Sequence, residues 1–197
     1  IGQTITQNKP FINVTKIHSD SFTQESTAGG ERYPAVNKAI FDAIEVGALV
    51  VNYFGHGGED GIAGERIFDK INAQELKNPC KLNCFVTVTC EYTKFDNPLR
   101  ATAGEYLYWN NEGGAIGLIT TTRQIFVSVG VAFNVVLEEY LFAFGSNEYP
   151  SMAEALRLTK NDLTISGIAE IGPAVIAHEG STILVVLNAL RLLGFKN

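Results

Sequence analysis

Two side chains in this sequence can form a nucleophile and its base, and each comes just after a strand-like run. Val50-Val51-Asn52-Tyr53-Phe54 leads into Gly55-His56-Gly57-Gly58, and Phe85-Val86-Thr87-Val88-Thr89 leads into Cys90. β-Branched and aromatic runs of this length, closed by glycines or a turn, read as buried strands of a parallel sheet. Ligands of open α/β sheets sit at the carboxyl ends of the strands, so an imidazole at one end and a thiol at another can meet across a single cleft. The imidazole can draw the proton from the thiol, and the thiolate is the reactive species of a cysteine nucleophile. Each residue alone also has a plainer reading. A Gly-His-Gly can be a tight turn with an incidental histidine, and a cysteine ending a strand can be a small buried apolar group.

The elements that must position this pair alternate between strand and helix. Phe11 to Ile17 reads as a first strand and Ser19 to Arg32 as a polar loop. Pro34 suits a helix start, with Val36, Ile40, Ala43, Ile44 and Gly47 on one helical face. The His56 strand comes next. A short helix from Asn72 to Asn78, stopped by Pro79, leads to the Cys90 strand. Beyond it lie a helix near Thr102 to Asn110, a third buried strand from Ala115 to Thr120, and a long apolar helix from Phe126 to Phe144. A last helix opens on the capping box Ser151-Met152-Ala153-Glu154 and turns Met152, Ala155, Leu156, Thr159 and Leu163 to one side. Strands separated by helices, without tight hairpin dipeptides, predict an α/β fold with a mostly parallel sheet covered on both faces.

Composition bounds the function. The chain has 197 residues, 46% hydrophobic and 10% aromatic, enough for one sizeable core. Its net charge of −6, with no Lys/Arg cluster, gives nucleic acid no electrostatic footing. The three cysteines, Cys80, Cys84 and Cys90, cannot all pair with one another. Cys80 and Cys84 lack the second Cys pair or His-rich spacing of a zinc site, so neither a metal nor a cofactor is expected. The opening Ile1-Gly2-Gln3-Thr4 carries no export signal, and the chain is expected to begin inside a longer protein.

Several ordered motifs also resemble one family. Asn52 to Gly58, the Phe85 to Cys90 strand, and Gly113-Gly114-Ala115-Ile116-Gly117 are similar to the gingipain-like cysteine peptidases. Glu31-Arg32-Tyr33-Pro34, Cys90 to Pro98 and Ala103-Gly104-Glu105 match in type and order the branch of that family that acts as the sortase of type IX secretion in Bacteroidetes. The resemblance runs roughly over residues 11–162. It implies a caspase-like three-layer α/β/α sandwich at the bacterial outer membrane or cell surface. It further implies an enzyme that removes C-terminal sorting domains from secreted proteins, joins the new carboxyl end to an anionic lipopolysaccharide, and works with other secretion-system components. In that scheme Cys90 is the nucleophile and His56 its proton carrier, and the backbone amides of Gly57 and Cys90 form the oxyanion hole. The family orients its histidine with an upstream acid, for which Asp20 and Glu25 are candidates by position. Glu91, Asp96 and Arg123 are candidates for substrate contact. A second class of function is a non-catalytic member of the same fold, acting as a binding or scaffold domain.

The carboxyl-terminal region departs from the family, which continues into another strand with a Gly-Asp-Pro turn. The stretch from Gly172 to Leu193 instead resembles the last membrane helix of a heavy-metal P-type ATPase. The expected division is therefore a partial peptidase domain over 1–163 and an apolar helical segment over 164–197, a candidate for membrane contact or for packing as a core helix.

Overall fold

A computed structural model describes residues 1–167. The expected segment from 164 onward falls almost wholly beyond this limit, and the ATPase-like stretch lies outside the described residues. Helix α1 (Gly2–Asn8) is followed by irregular chain, a 3-10 turn at Ser19–Ser21, and a small antiparallel hairpin of β1 (Glu25–Thr27) and β2 (Gly30–Arg32). Next come α2 (Pro34–Gly47), β3 (Val50–Phe54), and three two-residue strands, β4 (Gly57–Gly58), β5 (Gly61–Ile62) and β6 (Phe68–Asp69). The chain continues through α3 (Lys70–Glu75), β7 (Asn83–Val88), α4 (Ala103–Trp109), β8 (Ala115–Thr120), α5 (Val127–Leu141) and α6 (Met152–Ile165).

The main sheet is parallel, in the order β3-β7-β8, with Phe54 opposite Val88 and Thr87 opposite Thr120. The side-chain alternation of β7 feeds two cores. Phe85 joins Val36 and Ile44 of α2, Leu76, Leu107 of α4 and Leu118 of β8 on one face. Cys84, Val86 and Val88 join Ile119, Leu137 of α5, and Ala155 and Leu156 of α6 on the other. Burial of apolar surface on both faces of a central parallel strand is the reason for the three-layer α/β/α arrangement.

Local signals placed the helices well. Ser151 caps α6, its Oγ accepting from the Glu154 amide at 3.2 Å, and Ala155, Leu156, Thr159 and Leu163 are buried as their spacing predicts. Thr102 and Glu105 form a capping box at α4. Helix α3 starts earlier than expected, because Asp69 caps it and accepts from the amides of Ile71 and Asn72.

The structure corrects three expectations. Phe11 to Ile17 is irregular, and Phe11 is exposed. A strand needs a ladder partner, which an alternating sequence cannot supply by itself. The stretch read as a loop from Ser19 holds the β1–β2 hairpin, and the connection from β3 to β7 contains the small antiparallel sheet β4-β5-β6. Its strands are too short to leave a periodic signal. Among the described residues β3 is therefore an edge strand, half-exposed, whereas β7 is buried throughout.

Candidate active site

The register of β3 on β7 puts the segments that carry His56 and Cys90 at neighbouring strand ends. Phe54 and Val88 are the last paired residues of neighbouring parallel strands, and His56 and Cys90 each lie two residues further on. The Gly55 amide still reaches the Val88 carbonyl at 3.5 Å, so the two chains remain side by side beyond the ladder. Adjacent strands run about 4.8 Å apart, which puts the two positions within reach of one peptide group. Phe54 and Val88 both approach Gly130 of α5.

The two ends also touch directly. A Cβ at position 57 would lie 2.6 Å from Thr89 Oγ1 and 3.0 Å from the Gly61 carbonyl oxygen, so only glycine fits there. Gly57 thus packs its backbone against the residue that precedes Cys90. The His56 carbonyl accepts from the Ala63 amide at 2.8 Å and from the Tyr53 hydroxyl at 2.7 Å. Burial pushes the Tyr53 phenol up to about 12, so it stays a donor across the ordinary pH range. The imidazole is exposed and Cys90 is half-buried.

Behind Cys90 the chain turns sharply. Glu91 has a left-handed backbone, φ 53°, and its amide donates to the Arg123 carbonyl at 3.2 Å. The Thr121 hydroxyl donates to the Thr89 carbonyl, and the Thr93 amide donates to the Thr121 carbonyl at 3.2 Å. The Cys90 turn is therefore sewn to the end of β8. Thr89 Oγ1 is buried with no partner among the described residues.

The three candidate substrate residues lie around this turn, each engaged in an ion pair. Glu91 Oε1 is 2.9 Å from Lys94 Nζ, and Asp96 receives both guanidinium nitrogens of Arg123. The Arg123 guanidinium holds the Asp96 carboxyl below the usual carboxylate range. Because this second pair is exposed it adds little stability, and an incoming ligand can displace it. Asp20 and Glu25 are exposed, and neither hydrogen-bonds to the His56 ring. No hydrogen bond joins the Cys90 sulfur to the imidazole either, a looseness common in catalytic pairs without substrate.

Two further groups escaped the sequence reading. Glu59 and Asp60, at the tip of the β4–β5 hairpin, carry much of the charge near His56, and nothing in their sequence context marks them. Glu138 of α5 is 2% exposed and faces Asn52 of β3, whose Nδ2 lies 3.4 Å from Glu138 Oε1. Burial raises the Glu138 carboxyl to about 7. Asn52 precedes His56 by four residues, roughly 13 Å along a strand, so Glu138 is too deep to orient the imidazole.

Among the described residues no group of three or more His, Cys, Asp or Glu is arranged to hold a metal. Cys80 is exposed with φ 61°, and Cys84 is buried, its thiol pushed up to about 12. Such a thiol is chemically inert, which leaves Cys90 as the partly accessible cysteine at a strand end.

A covered parallel sheet with a thiol and an imidazole at adjacent carboxyl ends defines the class as a caspase-like cysteine peptidase fold. The family model for peptidase family C25 matches residues 1–184, and the chain belongs to that family. It is similar to the crystal structure of the Arg-specific cysteine proteinase gingipain R (RgpB), at 24% identity and TM-score 0.50 over 54% of this chain and 25% of that one. The complex of the pro- and mature domains of RgpB from Porphyromonas gingivalis matches at 20% identity and TM-score 0.56, over 66% of this chain and 31% of that one. The chain thus spans about a third or less of the structures it resembles. No curated protein sequence matches it significantly.

Proposed function

We propose that this chain carries the catalytic core of a sortase-type cysteine peptidase similar to PorU of the type IX secretion system. The observation that supports the reading is the register of β3 on β7, whose last pair, Phe54 opposite Val88, lies two residues before both His56 and Cys90. The Cys90 sulfur attacks the scissile carbonyl carbon while its proton passes to the imidazole. The oxyanion that forms is met by the amides of Gly57 and Cys90, and a glycine at 57 lets the backbone come close. Collapse breaks the C–N bond, the imidazolium returns the proton to the leaving amine, and a thioester remains on Cys90. An amine then releases the acyl group in transpeptidation, as water does in hydrolysis.

The Arg specificity of gingipain R is not carried over. Glu59, Asp60, Glu91 and Asp96 are each paired with Lys or Arg, so none of these four presents an unpaired carboxylate to a basic side chain. This favours the sortase branch, whose substrates are secreted proteins with C-terminal sorting domains. Action at the bacterial cell surface, with other secretion components, belongs to the same proposal.

A peptidyl electrophilic ketone tests the reading. It should label Cys90 and spare Cys80 and Cys84, and a sorting-domain peptide supplied with an amine acceptor should yield the joined product. Absence of labelling at Cys90 with the fold intact would favour a non-catalytic scaffold domain, and hydrolysis that no amine diverts would remove the sortase part.

A further inference from the structure

His56 sits between glycines at the end of an edge strand, and among the described residues no acidic side chain reaches its ring. Gly58 meets nothing that a Cβ would touch, so packing at that residue does not hold the tether in place. The next two residues hold it. Glu59 Oε1 lies 3.4 Å from Lys94 Nζ, and Glu59 Oε2 lies 3.6 Å from Arg100 Nε. The Glu59 carbonyl accepts from the Ala103 amide at 2.8 Å. Lys94 extends the chain to Glu91, the neighbour of Cys90, at 2.9 Å. Asp60 pairs with Arg100 and, at 2.8 Å, with Lys70. Both cations that meet Glu59 come from the segment after the thiol.

We propose that Glu59 and Lys94 are positioning residues of the peptidase reaction: the chain Glu59–Lys94–Glu91, backed by Asp60–Arg100, clasps the His56 hairpin to the Cys90 turn and sets the spacing of imidazole and thiol. The inference rests on the dyad reading. The clasp supplies from the backbone side the restraint that an orienting acid would apply to the ring. Glu59 and Lys94 side chains are only 16% and 28% exposed, so solvent screens their attraction incompletely. Charges in one network are coupled, so the losses from removing Glu59 and Lys94 should not add. The left-handed Glu91 adds to this, because Lys94 holds the side chain of the residue whose backbone turns Cys90 toward the cleft.

The test uses the full protein. Glu59→Gln and Lys94→Gln should each lower kcat on the order of 10–100-fold with KM little changed, as expected when a reacting group is misplaced by about an ångström or less. The double variant should be no worse than either single one, and the conservative Lys94→Arg, which keeps a cation between Glu59 and Glu91, should retain most of kcat. Thermal melts should stay near wild type. A readout independent of turnover is the rate at which a His56→Cys variant forms a disulfide with Cys90, mapped by mass to exclude Cys80. Glu59→Gln in that background should slow it several-fold. Additive losses, a Lys94→Arg variant as impaired as Lys94→Gln, or an unchanged disulfide rate overturns the clasp. Cys90→Ala separates the two readings: turnover that survives it defeats the dyad, while a dead Cys90→Ala beside a fully active Glu59→Gln defeats the clasp alone.

Discussion

The proposed nucleophile and its proposed base stand on unlike foundations. Cys90 ends β7, the central strand, buried along its whole length and stitched to β8 through Thr121 and Arg123. His56 ends β3, a half-exposed edge strand, and hangs between glycines. Accuracy at this site therefore comes from one rigid strand against which the other end is fastened by backbone contacts and charge.

The largest effect should erase the distinction. Cys90→Ala should abolish turnover, because the nucleophile is gone while a small apolar residue remains at the strand end. His56→Ala should cost nearly as much, and the double variant scarcely more, since members of one catalytic unit are not additive. Steady-state rates of the three variants check this, and full independence of the two losses would break the dyad.

Next in size is the point where edge and centre meet. Gly57→Val would drive a branched side chain into Thr89 and displace an amide assigned to the oxyanion hole, lowering turnover by ~10²–10³. Labelling of Cys90 by a small alkylating agent should persist, so the ratio of labelling to turnover isolates the oxyanion contribution.

Core truncations carry the contrast into stability. Phe85→Ala on β7 removes a ring packed against Phe68 and Tyr92 and should cost about 3–5 kcal/mol in denaturant unfolding. Val51→Ala on β3 should cost about 1 kcal/mol, given ~0.8 kcal/mol per buried methylene and its partial exposure. Equal costs would mean that β3 is covered as fully as β7.

The smallest effect concerns the tie between β3 and α5. Glu138 has a carboxyl raised from 4.5 to about 7 in the fold, so the folded state favours its protonated form. The stabilisation is complete below about 4.5 and is lost as pH rises through about 7. Glu138→Gln, which keeps the contact to Asn52 without the proton, should flatten that part of the stability–pH curve measured by urea unfolding.

Legible in the residues alone were the alternation of strands and helices, the helix cap at Ser151, and the placement of His56 and Cys90 just past two strand-forming runs, of which only the second is buried. These are local signals: period, capping side chains and glycine punctuation act within a turn or two of the chain. The residues misled at Phe11 to Ile17, where an alternating pattern finds no ladder, and they were silent on the miniature sheet after His56, whose two-residue strands carry no period. The remaining features came from tertiary packing: β3 pairs with β7 in the register that sets imidazole beside thiol, Thr89 closes on Gly57, and Glu59 meets Lys94. Each of these joins residues far apart in the chain, and the choice among such partners is made by the shared burial of two cores on one sheet, which no single segment encodes.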